Sequence, residues 1–124
     1  MIRIREFMSK KVHTVVPKNT IEDCVEIMDR HNIGALVVTE GTQIVGIISE
    51  RDIVRKVLAK KGDIAKILVK DVMTPNPKSL GPEESILRAI KVMDENHFRH
   101  LVISEGGKLC GIITAKDLIK MSAY

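Results

Sequence analysis

The sequence predicts an α+β protein made of two tandem β-α-β-β-α repeats packed with pseudo-twofold symmetry. Three observations predict it. First, the chain matches itself without a gap when slid by 65 positions. Met8 falls on Met73, Pro17 on Pro82, Ile21 on Ile86 and Met28-Asp29 on Met93-Asp94. Leu36-Val37 falls on Leu101-Val102, Gly46-Ile47-Ile48 on Gly111-Ile112-Ile113 and Asp52 on Asp117. The matched residues are of many types, so two copies of one supersecondary unit explain them better than low complexity does. Second, apolar residues switch between helical spacing and short β-branched runs. Third, 124 residues at 44% hydrophobic and 29% charged have the size and balance of a globular domain.

The elements follow in order. Val15-Val16-Pro17 predicts a short first strand, ended by a proline that has no N–H to donate to a ladder. Ile21, Cys24, Val25, Ile27 and Met28 recur at helical spacing. Asn19 or Thr20 is expected to cap that helix, and Glu22 and Asp23 suit its positive end. Gly34 is expected to break it. Ala35 to Thr39 predicts a buried strand, Glu40-Gly41 a turn and Gln43 to Ile48 the returning strand of a hairpin. A second helix is expected after Ser49, with Ile53, Val54, Val57 and Leu58 on one apolar face.

The second copy repeats the order. Ile86, Ala89, Ile90 and Met93 line its first helix, and Leu101 to Ser104 with Lys108 to Ile113 make its hairpin. Leu118, Ile119 and Met121 are expected to face inward from its last helix. The lead-in "ILVKDVMTPNPKS" holds Pro75 and Pro77 and is expected to be extended rather than helical. The division falls at 62/63, with residues 1–62 as the first repeat and its N-terminal segment and 63–124 as the second. One repeat leaves too much apolar surface to stand alone, so two are expected to pack with clefts where they meet.

Composition excludes several functions. Aromatics are 2%, so the core must be aliphatic and no base-stacking platform for single strands is at hand. The net charge of +4 is interspersed, and its densest runs, Lys10-Lys11 and Lys60-Lys61, are too short for a nucleic-acid stripe. Nucleic acid is therefore not expected as a partner. Cys24 and Cys110 lie among apolar residues outside any CxxC pair, as small hydrophobes of a reducing cytoplasm do. "MIRIREFMSK" is too charged for a signal peptide, and no apolar run reaches membrane-spanning length. A soluble cytoplasmic protein with no membrane partner is expected.

The chemistry-bearing motif is the doubled "GIISERD" (Gly46 to Asp52) and "GIITAKD" (Gly111 to Asp117). A hydroxyl residue followed three positions later by an acid, at a strand-to-helix junction, is a capping signature. Ser49 and Thr114 would then cap, with Asp52 and Asp117 at the third helical position. The same geometry also suits a nucleotide. A helix start attracts phosphate, a hydroxyl can donate to it, and a carboxylate can accept both hydroxyls of a ribose. Arg51 and Lys116 add positive charge beside it. Capping boxes tolerate Glu or Gln, yet both copies keep Asp.

The unit resembles a cystathionine-β-synthase (CBS) domain. "VVPKNTIEDCVEIM" and "IGALVVTEGTQIVGIISERDIV" carry the resemblance in the first copy, "SLGPEESILRAIKVM" and "FRHLVISEGGKLCGIITAKDLI" in the second. It covers nearly the whole chain. The resemblance implies a paired, Bateman-type regulatory module. Such a module binds adenine nucleotides or S-adenosylmethionine in clefts between the repeats and signals to an effector protein. It implies Asp52 and Asp117 for ribose, with Ser49 and Thr114 nearby. It implies His13-Thr14-Val15 and Lys78-Ser79-Leu80 framing the base, and Arg99 and His100 for phosphate. It also implies a homodimer built through helices. The first copy departs from this pattern, because Gly34 and Ala35 offer no charge where the second has Arg99 and His100. The clefts are therefore expected to differ. Both copies lack the proline usual before the valines of the second strand.

Other residues carry less. His97 and His100 lack a completing ligand set for zinc. Met8, Met28, Met73 and Met93 recur with the repeat and read as core. Cys110 has no base or oxyanion element beside it, and no catalytic constellation is found. The expectation is a regulatory module and not an enzyme. It needs no metal or cofactor beyond an adenine-nucleotide effector. A constitutive scaffold, in which the motifs are only caps, is the rival, and nucleic-acid binding, prompted by the basic charge balance, is the weaker alternative.

Overall fold

A computed structural model describes residues 1–123. It is mixed α+β, and the chain separates into two compact units, residues 13–77 and residues 1–12 with 78–124.

In the unit of residues 13–77, β1 (Thr14–Val15) runs parallel to β2 (Ala35–Glu40). β2 pairs antiparallel with β3 (Gln43–Ser49), which pairs with β4 (Thr74–Pro75), giving the order β1-β2-β3-β4. Helix α1 (Ile21–His31) lies between β1 and β2 in sequence. Thr20 caps it. The Thr20 hydroxyl accepts the Asp23 N–H at 3.1 Å, and Asp23 accepts the Thr20 N–H at 2.9 Å. The helix stops at Asn32, which takes a left-handed φ of 52°, two residues ahead of the expected break at Gly34. Helix α2 (Glu50–Asp52) runs straight on as a π-helical segment, Ile53–Leu58.

The other unit repeats the plan. β5 (Ser79–Leu80) is parallel to β6 (His100–Glu105), and β6 is antiparallel to β7 (Lys108–Thr114). Helices α3 (Ile86–Asn96) and α4 (Ala115–Met121) complete it. His97 ends α3 at φ 57°, as Asn32 ends α1.

The compact units cut across the 62/63 division because each lead-in segment belongs to the other repeat. The 3-10 turn Ile4–Glu6 sits on the second repeat, where Ile4 N–H donates to Glu84 and Arg5 N–H to Pro82. The 3-10 turn Val69–Asp71 sits on the first, where Val69 N–H donates to Asn19 and Lys70 N–H to Pro17. Ile4 and Val69 are fully buried in the cores they join. Burying those side chains holds the segments in place. The lead-in to the second repeat is thus not wholly extended. Its prolines restrict residues 74–77 and leave 69–71 free to turn.

Not every expected inward residue is inside. Ile53 and Val57 are buried, but Val54 and Leu58, on the next stripe of the helix, are each 54% exposed. Ile119 is 70% exposed, while Leu118 and Met121 pack on the core. Among the described residues, no helix is long and apolar enough to cross a membrane.

Candidate functional site

Each repeat turns from strand into helix at its motif, and each turn is a full capping box. At the first, the Ser49 N–H donates to Asp52 Oδ2 at 3.0 Å and the Asp52 N–H to Ser49 Oγ at 3.2 Å. The Ser49 hydroxyl also lies 3.1 Å from Oδ2. At the second, the Thr114 N–H donates to Asp117 Oδ2 at 2.9 Å and the Asp117 N–H to Thr114 Oγ1 at 3.1 Å. The capping geometry is therefore present at both.

The two carboxylates differ in what remains. Lys56 reaches Asp52 Oδ1 at 3.1 Å and also donates to the Val72 carbonyl at 3.0 Å. Both oxygens of Asp52 are thus engaged, with the side chain 18% exposed. The residue equivalent to Lys56 is Met121, which carries no charge. Among the described residues, the hydrogen bond that Asp117's carboxylate accepts is made through Oδ2. Lys56 was legible in the sequence as an acid-to-base pair four residues apart on a helix.

The remaining candidates gather around these turns. In the second repeat, His100 lies opposite Thr114 in the β6–β7 ladder, and the Ala115 N–H donates to the Arg99 carbonyl at 2.9 Å. β5 runs parallel to β6, with Ser79 beside Val102 and Leu80 beside Ile103. The start of β6 and the end of β7 therefore share one end of the sheet, which carries Arg99, His100, Thr114, Lys116 and Asp117. Ser79 and Leu80 sit further along β6, opposite Val102 and Ile103, with Lys78 just before them. The Ser79 hydroxyl is already paired with Ser104 at 2.9 Å. Lys78, Arg99 and Lys116 are exposed.

The first repeat gathers its set the same way but with less charge. Thr14 lies beside Val37, and the Val37 N–H donates to the His13 carbonyl at 3.4 Å. Ala35 opposes Ser49, and Gly34 supplies the carbonyl that accepts the Glu50 N–H at 2.9 Å. Val15 is buried, so it offers backbone rather than side chain. The His13 ring is stacked on His31 at 3.8 Å between centroids. No spacing or motif marks that pairing, because the two residues meet only through the fold. Arg51 is exposed beside Asp52.

The repeated glycines have a packing reason. A Cβ on Gly46 would lie 2.5 Å from Met73 Sδ, and one on Gly111 would lie 2.6 Å from the Ser9 carbonyl oxygen. Each glycine admits the lead-in segment that crosses its strand.

The sequence model of the CBS domain matches residues 4–59 and 69–124. An inosine-5'-monophosphate dehydrogenase from Korarchaeum cryptofilum is 38% identical over 98% of this chain, which spans only 25% of that enzyme. A CBS-domain protein structure from Burkholderia ambifaria is 34% identical with a TM-score of 0.87, covering 91% of this chain and 83% of that one. The structure of CBSX2 in complex with AMP is 25% identical with a TM-score of 0.84, covering 99% and 97%.

Proposed function

The chain belongs to the CBS-domain family, carrying the domain twice, and from that premise we propose that it is a regulatory module that senses an adenosine-containing ligand. AMP, ADP, ATP and S-adenosylmethionine are the candidates. Asp117 and Asp52 accept ribose hydroxyls, with Thr114 and Ser49 donating nearby. The backbone of His13-Thr14-Val15 and Lys78-Ser79-Leu80 frames the base. Arg99, His100, Lys116 and Arg51 face phosphate. The protein works in the cytoplasm as a homodimer, and an effector protein reads the conformation that the ligand favours. A ligand shifts such an equilibrium only through its differential affinity for the two conformations. The module performs no catalysis of its own.

One observation carries this reading. It is the strand-to-helix turn of the second repeat, where Asp117 is held through Oδ2, exposed Lys116 is its neighbour, and the carbonyl of exposed Arg99 accepts the Ala115 N–H of the same turn. The AMP complex of the similar CBSX2 supports the choice of ligand class.

A thermal-shift panel of AMP, ADP, ATP, S-adenosylmethionine and single-stranded DNA tests it. A ligand at 100 times its dissociation constant stabilises by about 2.7 kcal/mol. A shift with at least one adenosine compound and none with DNA is expected. No shift with any of them favours the second reading, a constitutive scaffold. The completeness of both capping boxes supports that alternative, because it accounts for Ser49, Asp52, Thr114 and Asp117 with no ligand.

A further inference from the structure

Lys56 holds two groups at once. Its ammonium lies 3.1 Å from Asp52 Oδ1 and donates to the Val72 carbonyl at 3.0 Å. Asp52 closes the strand-to-helix turn of the first repeat, and Val72 lies where the 3-10 turn Val69–Asp71 leads into β4. A surface ion pair accounts for the first contact alone. The second, to a backbone carbonyl 16 residues away, ties the candidate ribose carboxylate to the stretch of chain that joins the repeats. The same stretch meets the other end of the motif, where Met73 lies over Gly46. Its Val72 and Met73 N–H groups both donate to the Val69 carbonyl, and the Asn76 N–H donates to Val45.

The second repeat is built differently at the matching places. Met121 stands for Lys56 and Phe7 for Val72, and both pack on the core of their unit. Apolar side chains packed in that way resist release, because release returns their surface to water. The Lys56 contacts resist much less. Its side chain is 47% exposed, and a half-exposed ammonium exchanges a protein acceptor for water at small net cost. The helix differs in the same place. It is π-helical over Ile53–Leu58, a rare form often found at functional sites, whereas α4 is an α-helix.

We propose that Lys56 is a latch that couples occupancy of the first junction to the segment between the repeats. A ribose hydroxyl that takes Asp52 Oδ1 displaces the ammonium, the Val72 carbonyl loses its donor, and residues 69–76 loosen. This rests on the ribose reading above and names how that site passes on its occupancy. The coupling is reciprocal: whatever loosens the segment also weakens the hold of Lys56 on Asp52 and favours the ligand. It belongs to the first junction, because Met121 carries no charge to be displaced.

The test uses the full chain in an Asp117→Asn background, which weakens the other junction. Hydrogen exchange over residues 69–76 is read by mass spectrometry, and calorimetry follows AMP binding to the same samples. Without ligand, Lys56→Met is expected to exchange there about twofold or more faster than its parent, and Lys56→Arg, which keeps charge and donors, at the parent's rate. Saturating AMP is expected to speed exchange in the parent and to change nothing in Lys56→Met. AMP that binds the parent yet leaves exchange over 69–76 unchanged or slower overturns the latch and leaves the ribose reading standing. Equal exchange of Lys56→Met and parent without ligand does the same. AMP binding that is absent, or that a further Asp52→Asn change leaves intact, overturns the latch together with the ribose reading of Asp52.

Discussion

Gly111 lies so close to the lead-in segment that an added Cβ would sit 2.9 Å from Met8 Sδ and 2.6 Å from the Ser9 carbonyl oxygen. The same relationship recurs between Gly46 and Met73, where the Cβ would meet Sδ at 2.5 Å and the Thr74 carbonyl oxygen at 3.1 Å. The repeated Gly and Met of the sequence are thus two halves of one contact, made twice.

The two contacts predict unequal mutants. At Gly46 the nearest obstacle is a flexible thioether; at Gly111 it is backbone. Gly111→Ala is expected to destabilise by about 1–3 kcal/mol, the range for overpacking, and Gly46→Ala by less. Urea denaturation of both variants checks this. Equal losses would show that the Ser9 backbone yields as easily as Met73.

The cap of α1 predicts a pH effect. The Thr20 N–H and then the Asn19 side chain hold the Asp23 carboxyl below its ordinary value of 3.8, against a smaller opposing effect of burial. A lowered folded pKa means stability that is present above about pH 4 and lost as pH falls through the folded pKa. Asp23→Asn should therefore flatten the acid limb of the stability curve. Parallel curves for parent and variant from pH 6 to pH 3 would remove Asp23 from the account.

Burial pushes the Cys24 thiol up to about 11, with the nearby Asp23 carboxylate adding to the effect. The thiolate is the reactive form. Iodoacetamide at pH 8 is expected to label the half-buried Cys110 well ahead of Cys24 in the native protein. Equal labelling rates, measured by mass spectrometry, would contradict this.

Lys56 predicts that the two junctions bind unequally. It occupies Asp52 Oδ1, so on the proposed reading a ribose hydroxyl would compete with it. An ion pair of this spacing contributes about 0.3–0.5 kcal/mol, so Lys56→Met should tighten the first junction about twofold. Titration in an Asp117→Asn background isolates that junction. A weaker first junction in Lys56→Met would mean that the lysine serves the ligand instead.

Much of this was legible in the sequence, because the repeat constrains it. A gapless match at 65 residues fixed both hairpins, both first helices and both capping boxes at once. The exchange of lead-in segments was not legible, since periodicity in 63–77 says nothing about which repeat Val69 joins. The exposure of Val54, Leu58 and Ile119 was also hidden. An apolar residue one position along a helix from a core residue looks the same in sequence whether it meets the sheet or the solvent. Ile53 and Val57 are buried and Leu118 packs on the core, while Val54, Leu87 and Ile119 are exposed. For the candidate site, the motif named the carboxylates, but the difference between them depends on Lys56 and on where the π-helical segment carries it.

The central claim is that these aspartates read a ligand besides capping a helix. Calorimetric titration of AMP into the parent, Asp117→Asn, Asp52→Asn and Thr114→Ala tests it most directly. Asparagine keeps the cap's shape, so Asp117→Asn should melt like the parent yet bind AMP tenfold or more weakly, a loss of about 1.4 kcal/mol. Asp52→Asn should lose less. Thr114→Ala should lose on the order of 1 kcal/mol of stability with or without AMP. AMP binding unchanged in both Asp→Asn variants, with Thr114→Ala simply melting earlier, would make both motifs helix caps and nothing more.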